Sequence, residues 1–243
     1  MKKIFLFIFQ IKMKHLIRKI GHRVLLFFAP ELSILKKDWY TEMKSKQEDD
    51  YLNRLKFQFG FCGKNVIIHN PILIVNPQNV FLHDNTNIYG NATILTVNAK
   101  FTMKKNSGSA QGLTIVTGNH TSDVGVWFKE LRNIKDEEKD VVIEEDVWVG
   151  ANVTILAGVK IGRGSIIGAS SVCRKNIPPY AIIVGNPAKV VGYRFTVEQV
   201  IEHEKILYSI DERISIDILK KNYDKYVINS LDEIKDYLKL SCP

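Results

Sequence analysis

A six-residue period between Val147 and Cys173 is the feature that most narrows how this chain can fold. In each period two apolar or small residues bracket one residue, and three turn-forming residues follow. The bracketing pairs are Val147 and Val149, Val153 and Ile155, Val159 and Ile161, Ser165 and Ile167, and Ser171 and Cys173. A three-residue strand buries only one face, so it needs neighbours above and below to pair its backbone groups. The period therefore predicts a solenoid of short stacked strands.

Three hexads that close one triangular coil place residues eighteen positions apart on top of one another. The predicted stacked pairs are Val149 with Ile167, Ile155 with Cys173, Val159 with Ile177, and Trp148 with Ile166. The first three pairs keep the inward columns apolar or small. The last pair creates an exposed apolar strip, which is typical of a surface that contacts another subunit or a ligand. The pattern favours a homo-oligomer closed by cyclic symmetry.

The repeat begins at Cys62 and is interrupted between Ile94 and Val141. We expect two interruptions, one at residues 104–112 and a second, longer loop at residues 118–140. Insertions in a solenoid often build a functional site on a rigid wall. Histidine is mostly neutral near pH 7 and can take a proton from a hydroxyl group. His120, directly after a Gly-Asn turn in the second insertion, is therefore the candidate catalytic residue.

Composition narrows the class of protein further. The chain has 243 residues, an ordinary apolar share of 45%, and a formal net charge of +8. Its three cysteines, Cys62, Cys173 and Cys242, are far apart and odd in number, which favours a reducing cytoplasm over a disulfide framework. The charge alone does not choose among nucleic acid, an anionic membrane and a phosphate-bearing ligand. We expect no nucleic-acid partner and no bound metal.

The first 30 residues are basic and rich in phenylalanine, and no acid precedes Glu31. Lys12 and Lys14 interrupt the apolar run too early for a spanning helix or a secretory signal. Two interpretations stay open. The segment could lie as an amphipathic helix on the inner face of the membrane, or it could pack on its own protein.

Three regions follow from these patterns. Residues 1–60 are expected to form an N-terminal helical segment, and residues 61–195 the solenoid with its inserted loop. Residues 196–243 are expected to form a C-terminal helical extension, opened by a capping box of Thr196 and Gln199.

The later repeats also carry a family resemblance. The segment from Val141 to Val191 contains the hexads, the exit Lys175-Asn176-Ile177-Pro178-Pro179 and the close Gly185-Asn186-Pro187-Ala188-Lys189. It resembles the hexapeptide-repeat acyltransferases, and among them the acetyl-CoA-dependent sugar O-acetyltransferases of cell-surface polysaccharide pathways. The resemblance implies a mainly β protein, a left-handed parallel β-helix, assembled as a homotrimer with active sites between subunits. It also implies acetyl-CoA as co-substrate and a saccharide as acceptor.

The resemblance assigns roles to individual residues. His120 matches the general base on the projecting loop, with Asn119 as a supporting group. The residues that match a pantetheine channel on the outer wall are Trp148, Gly150, Ala151, Ala169 and Ser170. Lys175 matches a basic position near the coenzyme phosphates. Cys173 and Arg174 depart from the pattern, which more often has a small aliphatic residue and a threonine there.

The late solenoid is also basic, independently of the resemblance. Its cations are Lys160, Arg163, Arg174, Lys175, Lys189 and Arg194. A nucleotide that carries several phosphates requires such a surface, and we expect two or three of these groups to contact it. Lys175 and Lys189 are the candidates for that contact.

Two other functions stay open. A zinc enzyme of the γ-carbonic anhydrase kind would need several histidines in one place, but His69 and His83 do not share a column. A non-catalytic scaffold for a membrane-bound glycan assembly complex is the second alternative. Cys173 is not a candidate nucleophile, because an inward thiol among aliphatic side chains is inert.

Overall fold

The computed structural model describes residues 30–120, 122–130 and 137–227. The chain divides into two compact units, residues 1–51 and 52–243. Helix α1 (Pro30–Lys56) begins with a proline, whose fixed φ suits the first helical turn, and ends with Arg54 and Lys56. The expectations for the basic N-terminal segment and for residues 228–243 of the C-terminal extension fall outside the described residues. Among the helices of the described ranges, none has both the length and the apolar character that crossing a membrane requires.

Short strands dominate the second unit. In chain order they are β1 (Phe61–Cys62), β2 (Ile67–Ile68), β3 (Ile72–Val75), β4 (Val80–Leu82), β5 (Asn87–Ile88), β6 (Ala92–Leu95), β7 (Phe101–Met103), β8 (Gly108–Ser109), β9 (Thr114–Val116), β10 (Gly118–Asn119), β11 (Glu137–Glu138), β12 (Val141–Ile143), β13 (Trp148–Val149), β14 (Thr154–Ile155), β15 (Lys160–Ile161), β16 (Ile166–Ile167), β17 (Val172–Cys173), β18 (Ala181–Val184) and β19 (Lys189–Tyr193). Short 3₁₀ turns lie at Pro77–Asn79, Phe128–Glu130 and Ile210–Glu212.

The strands stack into three parallel sheets that form the faces of a prism. Face one has the order β1-β4-β7-β12-β15, and face three has the order β17-β14-β9-β6-β3. Face two has the order β19-β18-β16-β13-β8-β5-β2, in which β19 alone is antiparallel. The chain visits the faces in the order one, two, three and then begins the next coil. This confirms the predicted mainly β, left-handed parallel β-helix.

The inward columns form the core as the hexad predicts. Val149 pairs with Ile167, Ile155 pairs with Cys173, and all four side chains are buried. On the outside Trp148 pairs with Ile166, and the Trp148 side chain is 68% exposed. The alternation of buried and exposed residues along each strand therefore follows the sequence pattern.

The predicted interruption at residues 104–112 is wrong. Strand β8 continues face two there, with Ser109 paired to both Ile88 and Val149. The sequence pattern weakens because serines stand in place of aliphatic residues. The buried Ser107 hydroxyl donates to the Glu144 carbonyl oxygen at 2.6 Å and accepts from the Val147 N–H at 3.0 Å. These bonds allow the Ser107 side chain in the core, because its hydroxyl has both a donor and an acceptor as partners. The buried Ser109 hydroxyl, by contrast, makes no hydrogen bond with the described residues.

The predicted pairing of Val159 with Ile177 is also wrong, because Ile177 pairs with Ile161. The final coil is two residues shorter than the one before it. Trp148 pairs with Ile166, eighteen positions on, whereas Ile166 pairs with Ile182, sixteen positions on. At the shortened corner the Asn176 side-chain oxygen accepts from the Lys160 N–H at 2.9 Å. A side chain thus supplies a hydrogen bond beside the shortened stretch of backbone.

The corner between faces one and two turns through residues in the left-handed region of φ. They are Asn65 (φ 56°), Asn85 (57°), Asn106 (60°), Asp146 (56°), Gly164 (69°) and Tyr180 (60°). Asparagine, aspartate and glycine are the residues that adopt this conformation most readily. The side chains also bond to one another. Asn65 Nδ2 donates to Asn85 Oδ1 at 3.0 Å, and Asn85 Nδ2 donates to Asn106 Oδ1 at 3.1 Å. We call the hydrogen-bonded side chains of Asn65, Asn85 and Asn106 the asparagine ladder.

Two helices follow the solenoid, α2 (Val197–Leu207) and α3 (Ile216–Val227). The predicted capping box at the start of α2 is confirmed, because Thr196 and Gln199 exchange side-chain-to-backbone hydrogen bonds. Helix α2 also carries Glu204, whose side chain is 2% exposed and therefore needs partners.

Glu204 fixes α2 to the last coils. Its carboxylate accepts from Arg163 Nη1 at 3.0 Å, from the Tyr180 hydroxyl at 2.6 Å and from the Ile214 N–H at 3.0 Å. Arg163 also pairs with Glu145 at 3.0 Å and lies 3.8 Å from the Tyr208 ring centroid. Burial, with the hydrogen bond to Glu204, raises the pKa of Tyr180. The C-terminal helical extension is therefore joined to the late solenoid by buried, charged contacts.

We predict that Asn85→Ala lowers the thermal stability more than Asn85→Gly does. Both changes remove two hydrogen bonds of the asparagine ladder, but only alanine also bears the cost of a left-handed φ, about 1 kcal/mol. The melting temperature of each variant by circular dichroism measures the difference. A glycine variant that melts below the alanine variant would contradict this account of the corner.

Candidate functional site

His120 lies where the chain leaves the prism after face three. Strand β9 ends at Val116, and β10 then pairs antiparallel with β11, so that Gly118 faces Glu138 and Asn119 faces Glu137. His120 directly follows this pairing and is exposed. The insertion therefore leaves the solenoid through the antiparallel pair of β10 and β11, which we call the hairpin, and Asn119 and His120 lie close to its base.

The base of the hairpin is held by the preceding coil. The Glu138 carboxylate accepts from the backbone N–H groups of Asn98 and Ala99, the latter at 2.7 Å, and from Asn98 Nδ2 at 2.9 Å. Asp140 Oδ1 accepts from the Lys100 N–H at 2.8 Å. Hydrogen bonds to an ionised carboxylate are stronger than neutral ones. His120 thus projects from a fixed point on the wall.

The predicted coenzyme residues gather at a different corner, between faces two and three. Gly150 and Ala151 lie directly beside Ala169 and Ser170 of the next coil, and the Ser170 N–H donates to the Ala151 carbonyl at 2.8 Å. A Cβ at Gly150 would lie 2.7 Å from the Ala169 nitrogen, so only glycine fits this approach. We call these four residues the corner wall. Trp148 lies next to it on face two.

The two lysines predicted to contact the coenzyme phosphates, Lys175 and Lys189, lie at different corners. Lys189 begins β19 and pairs with Val184, which directly follows Ile183. The Ile183 carbonyl accepts from the Gly168 N–H at 2.8 Å, so Lys189 lies near the upper end of the corner wall. Lys175 follows Cys173 at the end of face three, and this corner is the one from which the His120 hairpin departs two coils earlier. The fold brings Lys189 toward the corner wall but places Lys175 elsewhere.

His120 and the corner wall are therefore on opposite edges of face three. The hairpin leaves at the corner between faces three and one, and the wall lies at the corner between faces two and three. Both positions are set by stacked backbone, which resists rearrangement. Within one chain the candidate base and the candidate coenzyme residues do not meet at one corner.

The remaining candidate residues, Cys173, His69 and His83, are buried in the core or make ring contacts. Cys173 is fully buried, and burial raises the pKa of its thiol to about 12. His69 stacks on Tyr89 with ring centroids 4.7 Å apart, and His83 packs on Phe61 at 5.0 Å. In the described ranges, no three His, Cys, Asp or Glu side chains are grouped to hold a metal ion.

A groove that the sequence did not predict lies on the outside of face two. This face-two groove has a volume of about 630 Å³ and is lined by Tyr89, Trp148, Asp146 and Arg194, among others. Arg194 Nη1 pairs with Asp146 Oδ2 at 2.6 Å. The two residues are 48 positions apart, so no local pattern signals their contact. The only sequence signal is the position of Asp146, one place before the apolar pair Val147 and Val149, where earlier coils have asparagine.

Comparisons with known proteins agree with the fold. The family model described as bacterial transferase hexapeptide (six repeats) matches residues 140–175. The galactoside O-acetyltransferase of Lactococcus lactis subsp. lactis is 32% identical over 160 residues, which cover 65% of this chain and 74% of that protein.

Solved structures give the same class. A hexapeptide-repeat acetyltransferase from Vibrio cholerae, determined as a complex with acetyl coenzyme A, superposes with a TM-score of 0.54 at 26% identity, over 60% of this chain and 77% of that one. A maltose O-acetyltransferase from Clostridium difficile 630 gives 0.53 at 27% identity, over 67% and 88%. The stacked three-sided coils, the inserted hairpin and these similarities together show that the chain belongs to the hexapeptide-repeat acyltransferase family.

Proposed function

We propose that this protein is an O-acetyltransferase that moves an acetyl group from acetyl-CoA to a hydroxyl of a saccharide. The observation that carries the proposal is the hairpin held by Glu138, which places the exposed His120 at a fixed point of the corner between faces three and one. The names of the relatives support an oxygen acceptor on a sugar, because they include galactoside and maltose O-acetyltransferases. We further propose that the acceptor belongs to a surface polysaccharide or its precursor.

The chemistry requires a base and alignment. His120 takes the proton of the acceptor hydroxyl while that oxygen attacks the thioester carbonyl carbon and forms the new C–O bond. The C–S bond then breaks, and the proton held by His120 passes to the leaving sulfur, so that the base is regenerated. Asn119, beside His120, is placed to support the orientation of the imidazole. Holding both substrates in position lowers the activation free energy by several kcal/mol, on the order of 7 kcal/mol when orientation is good.

The corner wall suits an extended thioester arm. Gly150, Ala151, Ala169 and Ser170 carry no side chain larger than a hydroxymethyl group, so a chain-like ligand can approach the backbone closely. Trp148 offers a broad apolar surface next to it. Lys189, exposed near the upper end of the wall, can contact phosphates. Lys175 is on the other corner and would contact phosphates only across a subunit boundary.

A cyclic homotrimer would bring the two corners together. One chain places His120 and the corner wall on opposite edges of face three, so each is half of a site. Packing identical prisms side by side around a three-fold axis lets the hairpin of one chain reach the wall of the next. We propose that the active sites are formed in this way, between subunits.

We predict that His120→Ala lowers kcat by about 10²- to 10⁴-fold, because the hydroxyl loses its base. The KM for acetyl-CoA should stay within about twofold, since the corner wall is unchanged. Release of CoA thiol with glycoside acceptors measures both constants, and the acetyl mass on surface polysaccharide should vanish in cells that carry the variant. His83→Ala is the matched control, because His83 packs on Phe61 away from both corners. Full activity of His120→Ala would contradict the assignment of His120 as the base. Absence of turnover by the wild type would favour the non-catalytic scaffold.

We predict that two inactive variants regain activity when they are co-expressed with different tags. His120→Ala lacks the base, and Ala169→Trp obstructs the corner wall. If sites lie between subunits, a trimer that contains both variants has one interface of three at which an intact His120 meets an intact corner wall, so about one third of its sites are restored. Purification through both tags, followed by the acetyl-transfer assay, gives the number. No recovery in the mixed oligomer would place the whole site within one chain.

We predict that Cys173 takes no part in catalysis. A pKa raised to about 12 keeps the thiol protonated, and therefore non-nucleophilic, at every pH below that value. Cys173→Ala should retain kcat within about twofold. In the folded wild type, iodoacetamide at pH 8 should leave Cys173 unmodified by peptide mass spectrometry. Rapid labelling of Cys173, in parallel with the loss of activity, would favour an acyl-enzyme mechanism instead.

A further inference from the structure

The face-two groove exists because one residue in its outward column has no side chain. Gly108 lies between Asn87 and Trp148 on neighbouring strands. A Cβ at Gly108 would overlap the Asn87 side-chain oxygen, so a larger residue here would displace the Asn87 side chain and fill part of the gap. The gap is bordered by Tyr89, 49% exposed, and Trp148, 68% exposed. Two exposed aromatic rings thus flank a floor of bare backbone.

The polar side of the groove is an ion pair with unused hydrogen-bonding atoms. Asp146 takes the corner position that Asn106 takes one coil below, with nearly the same φ. Its Oδ2 accepts from Arg194 Nη1 at 2.6 Å. Across the part of the chain that the structure describes, Asp146 Oδ1 and Arg194 Nε and Nη2 make no hydrogen bond. Both side chains are about one-third exposed, at 32% and 29%.

The C-terminal extension keeps this pair in place. The Arg194 N–H donates to the Tyr180 carbonyl at 2.8 Å, and its guanidinium lies 4.9 Å from the Phe195 ring centroid. Tyr180 in turn donates to the buried Glu204 of α2. The guanidinium is therefore held by packed structure behind it, and Arg194 lines the groove. An ordered donor loses less entropy when it binds a ligand.

We propose that Asp146 and Arg194 are specificity-determining residues that bind two neighbouring hydroxyls of a neutral pyranose acceptor. A carboxylate accepts from a hydroxyl, and a guanidinium donates to one, so the pair complements a vicinal diol. The formal charges of Asp146 and Arg194 cancel, and His203 Nε2, 3.9 Å from Asp146 Oδ2, is a third polar group at this site. Tyr89 offers an apolar surface to the C–H face of the sugar ring, while Trp148 borders both this groove and the corner wall proposed for the thioester arm. This inference rests on the proposed O-acetyltransferase function and names its substrate class.

The test compares Asp146→Asn, Arg194→Gln and the double variant with the wild type. Asparagine is native to this corner, so the first change keeps the turn and removes the charge. The acceptors are methyl β-galactopyranoside and its 2-deoxy, 3-deoxy and 4-deoxy analogues. We expect each single variant to raise the KM for the parent glycoside about tenfold, the cost of losing one hydrogen bond to a charged group. The KM for acetyl-CoA should change by less than about twofold.

The deoxy analogues supply a readout that a structural defect would not move. In the wild type, removing either hydroxyl of the bound diol should raise KM about tenfold, whereas the double variant should no longer distinguish those analogues from the parent. Arg54→Gln, an exposed substitution on α1, is the control and should match the wild type in KM and melting temperature. Unchanged discrimination in the double variant would overturn the proposal.

Binding without acetyl-CoA separates this proposal from the proposed function. Saturation-transfer NMR with methyl β-galactopyranoside measures occupancy of the groove independently of turnover. If no acceptor is acetylated but the variants lose the glycoside signal, the diol site stands and the acetyl transfer fails. If acetylation is normal and the variants keep both signal and KM, the diol site fails and the acetyl transfer stands. Absence of any glycoside signal with the wild type would also overturn the diol site.

Discussion

Stacked corners hold the solenoid together, because its strands are too short to do so. Most strands contain two or three residues, so each contributes few hydrogen bonds, and the turn residues must supply a large part of the register. At the corner between faces one and two this is done by residues with positive φ and by the asparagine ladder. The same constraint reaches the face-two groove. One coil above the ladder the corner residue is Asp146, whose side chain turns from the ladder to Arg194.

Rigid corners also explain how an insertion can carry a catalytic group. The insertion at residues 118–140 is spliced between β9 and β12 without disturbing their faces, because the coils below and above still pair directly. Glu138 and Asp140 then bond to the turn at residues 98–100, which belongs to the coil below. A polar projection is thereby fixed to an apolar prism by charged hydrogen bonds rather than by a core of its own.

The C-terminal extension affects the site through buried charge. Glu204 has three hydrogen-bond donors around it, and Arg163 has two carboxylates, so neither charge is left uncompensated. Removing one partner would leave the other buried and unpaired, which is costly. Through Tyr180 this network also supports the backbone at Arg194. The helical extension therefore supports, through Tyr180, a residue that lines the face-two groove.

The hexad and its interruption were sufficient to predict the solenoid, its inward columns, the outward Trp148 and a loop at residues 118–140 that carries His120, because side-chain alternation and turn preference are local properties. The antiparallel pairing at the base of that loop was not predicted. It failed at Ser107 and Ile177, where hydrogen bonds from Ser107 and Asn176 replace the apolar or regular pattern. Other features were decided only when the coils stacked. The separation of His120 from the corner wall depends on which corner each segment reaches. The Asp146–Arg194 pair joins residues 48 positions apart, and their contact arises from the register of the last coils, which no short stretch of sequence encodes.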